Sequence, residues 1–228
     1  MIKAALFDLD GVVFETESQY SIFWGMIGRE YHPEIPDFEY RIKGQTLVQI
    51  YDKYFSEDSV FAHIKGYTDV KSEQDKITTR LNEFEKNMSY PYITGFEDFI
   101  KDLKQNGVKC AVVTSSNVQK MQNVYRQHPE FKGYFDRVLT SEDFAKSKPD
   151  PDCYVRGAAC FDAKPEECVG LEDSFNGLKA VRAAGAFTLG LSTTNSKESI
   201  ELFSDYVIAD YTGFTFADLV KVVEENKK

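Results

Sequence analysis

Short apolar runs alternate with helical stripes along most of this chain, and that alternation restricts it to an α/β fold built on a parallel sheet. The runs fall at residues 2–7, 109–113, 137–140, 168–171, 187–191 and 206–208. Between them the helices carry clean periodicity. Phe96, Phe99, Ile100 and Leu103 follow the i, i+3, i+4, i+7 rule, and Asn106-Gly107 closes that helix. Phe175, Leu178 and Val181 line another, with Ser174 as its expected N-cap and Gly185 as its stop.

The interval from Phe14 to Tyr92 breaks the alternation. It carries three helical stripes and no strand: Tyr20, Phe23, Trp24 and Ile27; Leu47, Ile50, Tyr51, Tyr54 and Phe55; and Ile77, Leu81 and Phe84. An all-helical stretch straight after the first strand implies a second small domain. The expected division is an α/β core over 1–14 and 93–228 and a helical domain over 15–92, with crossings near Phe14 and Pro91-Tyr92 that could hinge. The aromatic stripes read as helical core rather than as substrate contacts.

Bulk properties narrow the function classes. The 228 residues suit one large domain or a core with a smaller companion, and 42% hydrophobic content supplies a core. A net charge of -10 argues against a nucleic-acid groove or an anionic membrane surface. No apolar run is long enough to span a bilayer. Cys110, Cys153, Cys160 and Cys168 form no CxxC pair, and no signal-peptide pattern opens the chain, so reduced thiols in a cytoplasmic protein are expected. Nothing demands a partner chain, and a monomer is expected.

Four segments fall at the C-terminal ends of the expected strands, where open parallel sheets place their sites. They are Asp8-Leu9-Asp10-Gly11, Thr114-Ser115-Ser116-Asn117, Lys146-Ser147-Lys148-Pro149-Asp150-Pro151 and Glu172-Asp173-Ser174-Phe175-Asn176-Gly177. Asp8 and Asp10 share a parity that puts both side chains on one face of a strand, and such a pair needs a cation or a proton between them. Singly, each segment has a plain structural reading. Thr-Ser-Ser caps helices, Lys-Pro-Asp-Pro makes rigid turns and Glu-Asp biases a helix start.

Together they read as phosphoryl transfer. Asp8, Asp10, Glu172 and Asp173 offer hard oxygen ligands suited to Mg²⁺, while His32, His63 and His128 are scattered and form no zinc cluster. A metal and Lys148 would supply the positive charge that an acidic chain needs for an anionic substrate. Thr114 and the following amides can hold phosphate oxygens at a helix start. One carboxylate can attack phosphorus, and a second, two residues on, can move the proton.

The four segments, in this order, resemble the haloacid dehalogenase superfamily over nearly the whole chain, within it the branch of β-phosphoglucomutases and small sugar-phosphate phosphatases. Asp8-Leu9-Asp10-Gly11-Val12, Thr16, Ser147-Lys148-Pro149 and Leu171-Glu172-Asp173-Ser174 carry that likeness. It implies a Rossmann-like parallel-sheet core, with the first strand between the second and fourth, and a small helical cap inserted after that strand. It also implies an Mg²⁺-dependent enzyme with Asp8 as nucleophile and Asp10 as general acid/base, the latter also binding metal through its carbonyl. Thr114 and Lys148 would bind the phosphoryl group, with Ser115 and Ser116 beside them, and Asp173 with Glu172 would complete the metal site.

The cap departs from the mutases. Lys43-Gly44-Gln45-Thr46-Leu47 resembles their substrate loop but carries Leu47 where an arginine is typical, and Tyr20 stands in place of a histidine. An arginine fork suits the second phosphate of a sugar bisphosphate, and leucine cannot replace it. The expectation is therefore a phosphatase for a small phosphorylated metabolite, with a phosphohexomutase as the alternative and a non-catalytic phospho-aspartate switch as a remote one. Lys43 and Asn176 are candidate substrate contacts, set against the plain readings of a solvated cation and a helix start.

Overall fold

The computed structural model describes residues 2–43, 45–56 and 69–226; Gly44 and His63 lie outside them. Six strands form one parallel sheet: β1 (Ala4–Phe7), β2 (Lys109–Val113), β3 (Arg137–Leu139), β4 (Cys168–Glu172), β5 (Phe187–Leu191) and β6 (Tyr206–Ile208), in the order β3-β2-β1-β4-β5-β6. All six are where the apolar runs put them, and β1 lies between β2 and β4. Every residue of β1, β4 and β5 is buried, as expected for strands covered by helices on both faces.

The helices are α1 (Glu17–Tyr31), α2 (Phe38–Arg41), α3 (Leu47–Tyr54), α4 (Val70–Asn87), α5 (Phe96–Gln105), α6 (Val118–Gln127), α7 (Phe131–Tyr134), α8 (Asp152–Ala159), α9 (Phe175–Ala184), α10 (Lys197–Ile200) and α11 (Phe216–Asn226). Sequence chemistry accounts for their ends. Ser174 caps α9 by accepting from the Gly177 N–H, and Gly185 ends it in the left-handed region at φ 87°. Asn117, the last residue of the Thr-Ser-Ser-Asn run, caps α6 by accepting from the Lys120 N–H.

The chain divides into two compact units, Met1–Thr16 with Tyr90–Lys228, and Glu17–Ser89. The crossings thus lie two residues after and three before the expected boundaries at 14 and 93. Phe14 and Tyr92 pair as an isolated antiparallel bridge, which keeps both with the first unit. In the second unit the aromatic stripes pack on one another: Phe23, Trp24, Ile27, Ile50, Tyr54, Phe55, Ile77 and Leu81 form a buried cluster, with Tyr20, Leu47, Tyr51 and Phe84 against it. The first unit's core places Leu6, Ala111 and Val113 against Tyr154, Ala158, Ala180 and Val181 of α8 and α9. No helix among the described residues is long and apolar enough to cross a membrane. Cys110, Cys153, Cys160 and Cys168 are all free thiols.

Candidate active site

Strand register brings three of the four segments together, and Lys148 joins the fourth to them. Phe7 lies opposite Val112 on one side and Leu171 on the other, so the residues that follow at the same end of the sheet are Asp8, Val113-Thr114 and Glu172-Asp173. The ladder extends one residue further, with the Asp8 N–H donating to the Leu171 carbonyl at 3.0 Å. Gly11 turns the chain immediately afterwards at φ 73°. A Cβ there would come within 2.0 Å of Asp173 Oδ2, so the Asp8-Asp10 turn and Asp173 can approach only over a glycine.

Lys148 is the hub. It is buried, and its Nζ donates to Asp8 Oδ1 at 2.6 Å, Glu172 Oε1 at 2.6 Å and the Val113 carbonyl at 3.1 Å. Burial opposes its charge, but the Asp8 and Glu172 carboxylates outweigh burial and raise its pKa, so it stays an ammonium. Glu172 is wholly buried and satisfied on both oxygens. Oε1 also receives Tyr154 Oη at 2.9 Å, and Oε2 receives the Asp173 N–H, the Ser174 N–H and Ser174 Oγ.

Asp8 has less help. Burial pushes its pKa up to about 7, reinforced by Glu172 and Asp10, against the lowering pull of Lys148. Asp8, Glu172 and Asp173 offer carboxylate oxygens within 4.8 Å of one another, all three buried. Tyr211, whose hydroxyl is buried without a partner among the described residues, has its pKa raised first by burial and then by Asp173 and Asp8. Lys148 cannot balance three carboxylates. This donor set fits a hard divalent cation, all carboxylate with no thiol or imidazole in the cluster.

Asp10 sits apart from that cluster. Its carboxylate accepts Lys120 Nζ on both oxygens at 2.6 Å, Thr16 Oγ1 on Oδ1 at 2.6 Å and Ser116 Oγ on Oδ2 at 3.0 Å. Burial would raise its pKa, but Lys120, Thr16 and Ser116 together hold it below the usual carboxylate range. The Asp10 side chain is thus turned to Lys120 and away from the metal-type cluster, which leaves only its main-chain carbonyl for the ligand role the resemblance implied.

The remaining candidates divide. Thr114 is buried after β2, its Oγ1 accepting from the Ser116 N–H at 3.0 Å. Ser115 is exposed beside it, and Ser116 serves Asp10. Asn176 is half-buried in the first turn of α9. Lys43 belongs to the helical unit, its ammonium over the Tyr40 ring at 5.3 Å from the centroid.

Sequence reading missed Lys120, Tyr154 and the loop after β5. In that loop Thr193 Oγ1 donates to the Gly11 carbonyl at 2.5 Å, Thr194 Oγ1 donates to Asp173 Oδ2 and Asn195 Nδ2 donates to the Asp173 carbonyl at 2.9 Å. One signal existed for Lys120: it lies four residues before Val124 and next to Met121, on the buried face of α6.

Against known proteins, the model of the haloacid dehalogenase-like hydrolases matches residues 2–185. The chain belongs to that family. Among haloacid dehalogenase relatives, it is 28% identical over 202 residues to a Beta-phosphoglucomutase of Bacillus subtilis, covering 83% of each chain. It is 24% identical over 215 residues to a Validoxylamine A 7'-phosphate phosphatase of Streptomyces hygroscopicus, covering 93% of this chain and 95% of that one. In fold it is similar to a haloacid dehalogenase family IA hydrolase from Entamoeba histolytica, with a TM-score of 0.81 at 17% identity, over 98% of this chain and all of the other.

Proposed function

We propose that this chain is a phosphoric monoester hydrolase: an Mg²⁺-dependent phosphatase that acts on a small phosphorylated metabolite, a sugar phosphate or similar monoester, through an aspartyl-phosphate on Asp8. The observation that carries the reading is the buried Asp8 carboxylate, held by Lys148 at 2.6 Å inside a cluster with Glu172 and Asp173. Membership of a hydrolase family and likeness to a named phosphatase support the phosphatase class.

Asp8 attacks phosphorus as the ester P–O bond breaks, and its electron pair leaves on the alcohol oxygen. Asp10, as acid, gives that oxygen a proton. Asp10, as carboxylate, then takes a proton from water, whose hydroxyl attacks phosphorus and expels Asp8 with inorganic phosphate. Asp8 and Asp173, with the Asp10 carbonyl and Glu172 as further candidates, would hold Mg²⁺, and the bound ion would supply positive charge to offset that of the phosphoryl group. Lys148 favours the ionised form of Asp8 and aims it, and Glu172 with Tyr154 fixes Lys148. Thr114 and the Ser115 amide would hold phosphoryl oxygens beside α6.

The 28% identity to a Beta-phosphoglucomutase favours a second reading, a phosphohexomutase. Against it stands Leu47, which packs against the apolar core of the helical unit and has no fork for a second phosphate. A phosphate-release screen with Mg²⁺ over hexose phosphates, phosphoglycolate, pyrophosphate and nucleotide monophosphates tests the proposal. Release from at least one monoester, abolished by chelator, is expected. Conversion of β-glucose 1-phosphate to the 6-phosphate without net release would establish the mutase instead.

A further inference from the structure

We infer that the loop after β5, through Thr193, Thr194 and Asn195, is a clasp that positions Asp173 and the Gly11 turn as one cation site; this rests on the Mg²⁺-dependent reading above. Three consecutive residues of that loop each supply a donor. Thr194 Oγ1 donates to Asp173 Oδ2, Asn195 Nδ2 donates to the Asp173 carbonyl at 2.9 Å, and Thr193 Oγ1 donates to the Gly11 carbonyl at 2.5 Å. The sheet order explains why a loop does this work. β4 lies between β1 and β5, so no ladder joins β5 to β1. The loop instead reaches past the end of β4 to the turn that follows β1. It thereby ties Asp173, which follows β4 directly, to the turn that carries Asp8 and Asp10.

Gly11 is where the three elements meet. A Cβ there would lie 2.0 Å from Asp173 Oδ2 and 2.8 Å from Thr194 Oγ1. The Asp173 carboxylate is thus held from two directions, by the Gly11 turn and by the Thr194 hydroxyl. It is buried, and it belongs with Asp8 and Glu172 to the group whose carboxylate oxygens lie within 4.8 Å of one another. Mg²⁺ demands near-ideal octahedral geometry, so a ligand that must first be ordered costs affinity. A hydroxyl is suited to that ordering. It donates one hydrogen bond and carries no charge, so it fixes the carboxylate without neutralising it as an ammonium would. Outer partners of metal ligands act in this way, aiming the ligand rather than touching the ion. Asn195, on the Asp173 carbonyl, fixes the main chain from which that side chain projects.

Calorimetric titration of chelator-treated full-length protein with Mg²⁺ tests the clasp without any turnover. Thr194→Val keeps the shape of the side chain and removes the donor, and its Kd for Mg²⁺ is expected to rise ~10-fold or more. Thr194→Ser, which keeps the hydroxyl, should bind Mg²⁺ nearly as tightly as wild type. Thr193→Val, which loosens only the Gly11 side, should weaken Mg²⁺ as well. A poorly folded fraction lowers the stoichiometry of the titration and leaves Kd unchanged, so it cannot imitate the result. In phosphate release from p-nitrophenyl phosphate, Thr194→Val should lose activity at low Mg²⁺ and regain most of it at saturating Mg²⁺, which a merely structural role would not give. An unchanged Kd in Thr194→Val, or an equal rise in Thr194→Ser, would overturn the clasp alone. Wild-type protein that binds Mg²⁺ but releases phosphate from no ester would overturn the phosphatase reading, while the calorimetry still decides the clasp. Wild-type protein that binds no Mg²⁺ would overturn both.

Discussion

Glu172 is wholly buried, and Lys148, Tyr154, Ser174 and two main-chain N–H groups all donate to it. Replacing Tyr154 by Phe removes a 2.9 Å hydrogen bond at no cost in ring packing. We expect a loss of ~1–3 kcal/mol in chemical denaturation. Lys148→Met should cost more, ~3–5 kcal/mol, because two buried carboxylates lose their shared ammonium, and phosphatase activity should vanish with it. Asp8 makes stability depend on pH in the opposite sense to an ordinary paired carboxylate. Its pKa is raised from 3.8 to about 7, so the folded metal-free protein binds a proton that the unfolded chain releases earlier. The stabilisation from that proton is present below pH 3.8 and is lost as pH rises through 7. Thermal melts in chelator should therefore show this contribution disappearing between about pH 4 and 8, and Asp8→Asn should flatten that part of the profile. Mg²⁺ affinity should rise over the same interval as the proton ceases to compete.

Elements place these side chains through register and through two glycines. Gly177, in the first turn of α9, leaves room for the Glu172 carboxylate, which a Cβ would approach to within 1.9 Å. Gly177→Ala should displace Glu172 and loosen Lys148, lowering both activity and melting temperature, whereas Gly107→Ala, with no atom within 4 Å of its Cβ, tests positive φ alone. The strands and caps were legible because their signals are local: apolar runs for β1 to β6, and Ser174 and Gly185 at the ends of α9. The convergence of Asp8, Lys148 and Glu172-Asp173 was legible through the order of the four segments. Lys120 was not, because a lysine on a helix is ordinarily solvated, and only the adjacency of β1 and β2 carries it to Asp10. Thr193, Thr194 and Asn195 were missed for the same reason. Small polar residues after a strand look like any loop until β5 is seen beside β4.

At the scale of the whole molecule, an acidic chain of net charge -10 must bind an anionic ester. The first unit resolves this locally, with Lys120 on Asp10, Lys148 between Asp8 and Glu172, and a donor set suited to a divalent cation. Mg²⁺ binding to the folded state alone should stabilise it by ~2.7 kcal/mol at a hundredfold excess over Kd, read as a rise in melting temperature that Asp173→Asn reduces. The second unit spends its aromatic stripes on its own core, as the sequence suggested. There Tyr20 donates to the buried Glu85 at 2.7 Å. The central claim is that Asp8 carries the phosphoryl group between substrate and water, and acid quenching within the first turnover tests it most directly. Protein mixed with Mg²⁺ and p-nitrophenyl phosphate should yield one phosphoryl group on the peptide containing Asp8, and Asp8→Asn should yield none and release no phosphate. Phosphate release that persists in Asp8→Asn, with no phosphopeptide in the wild type, would contradict the account.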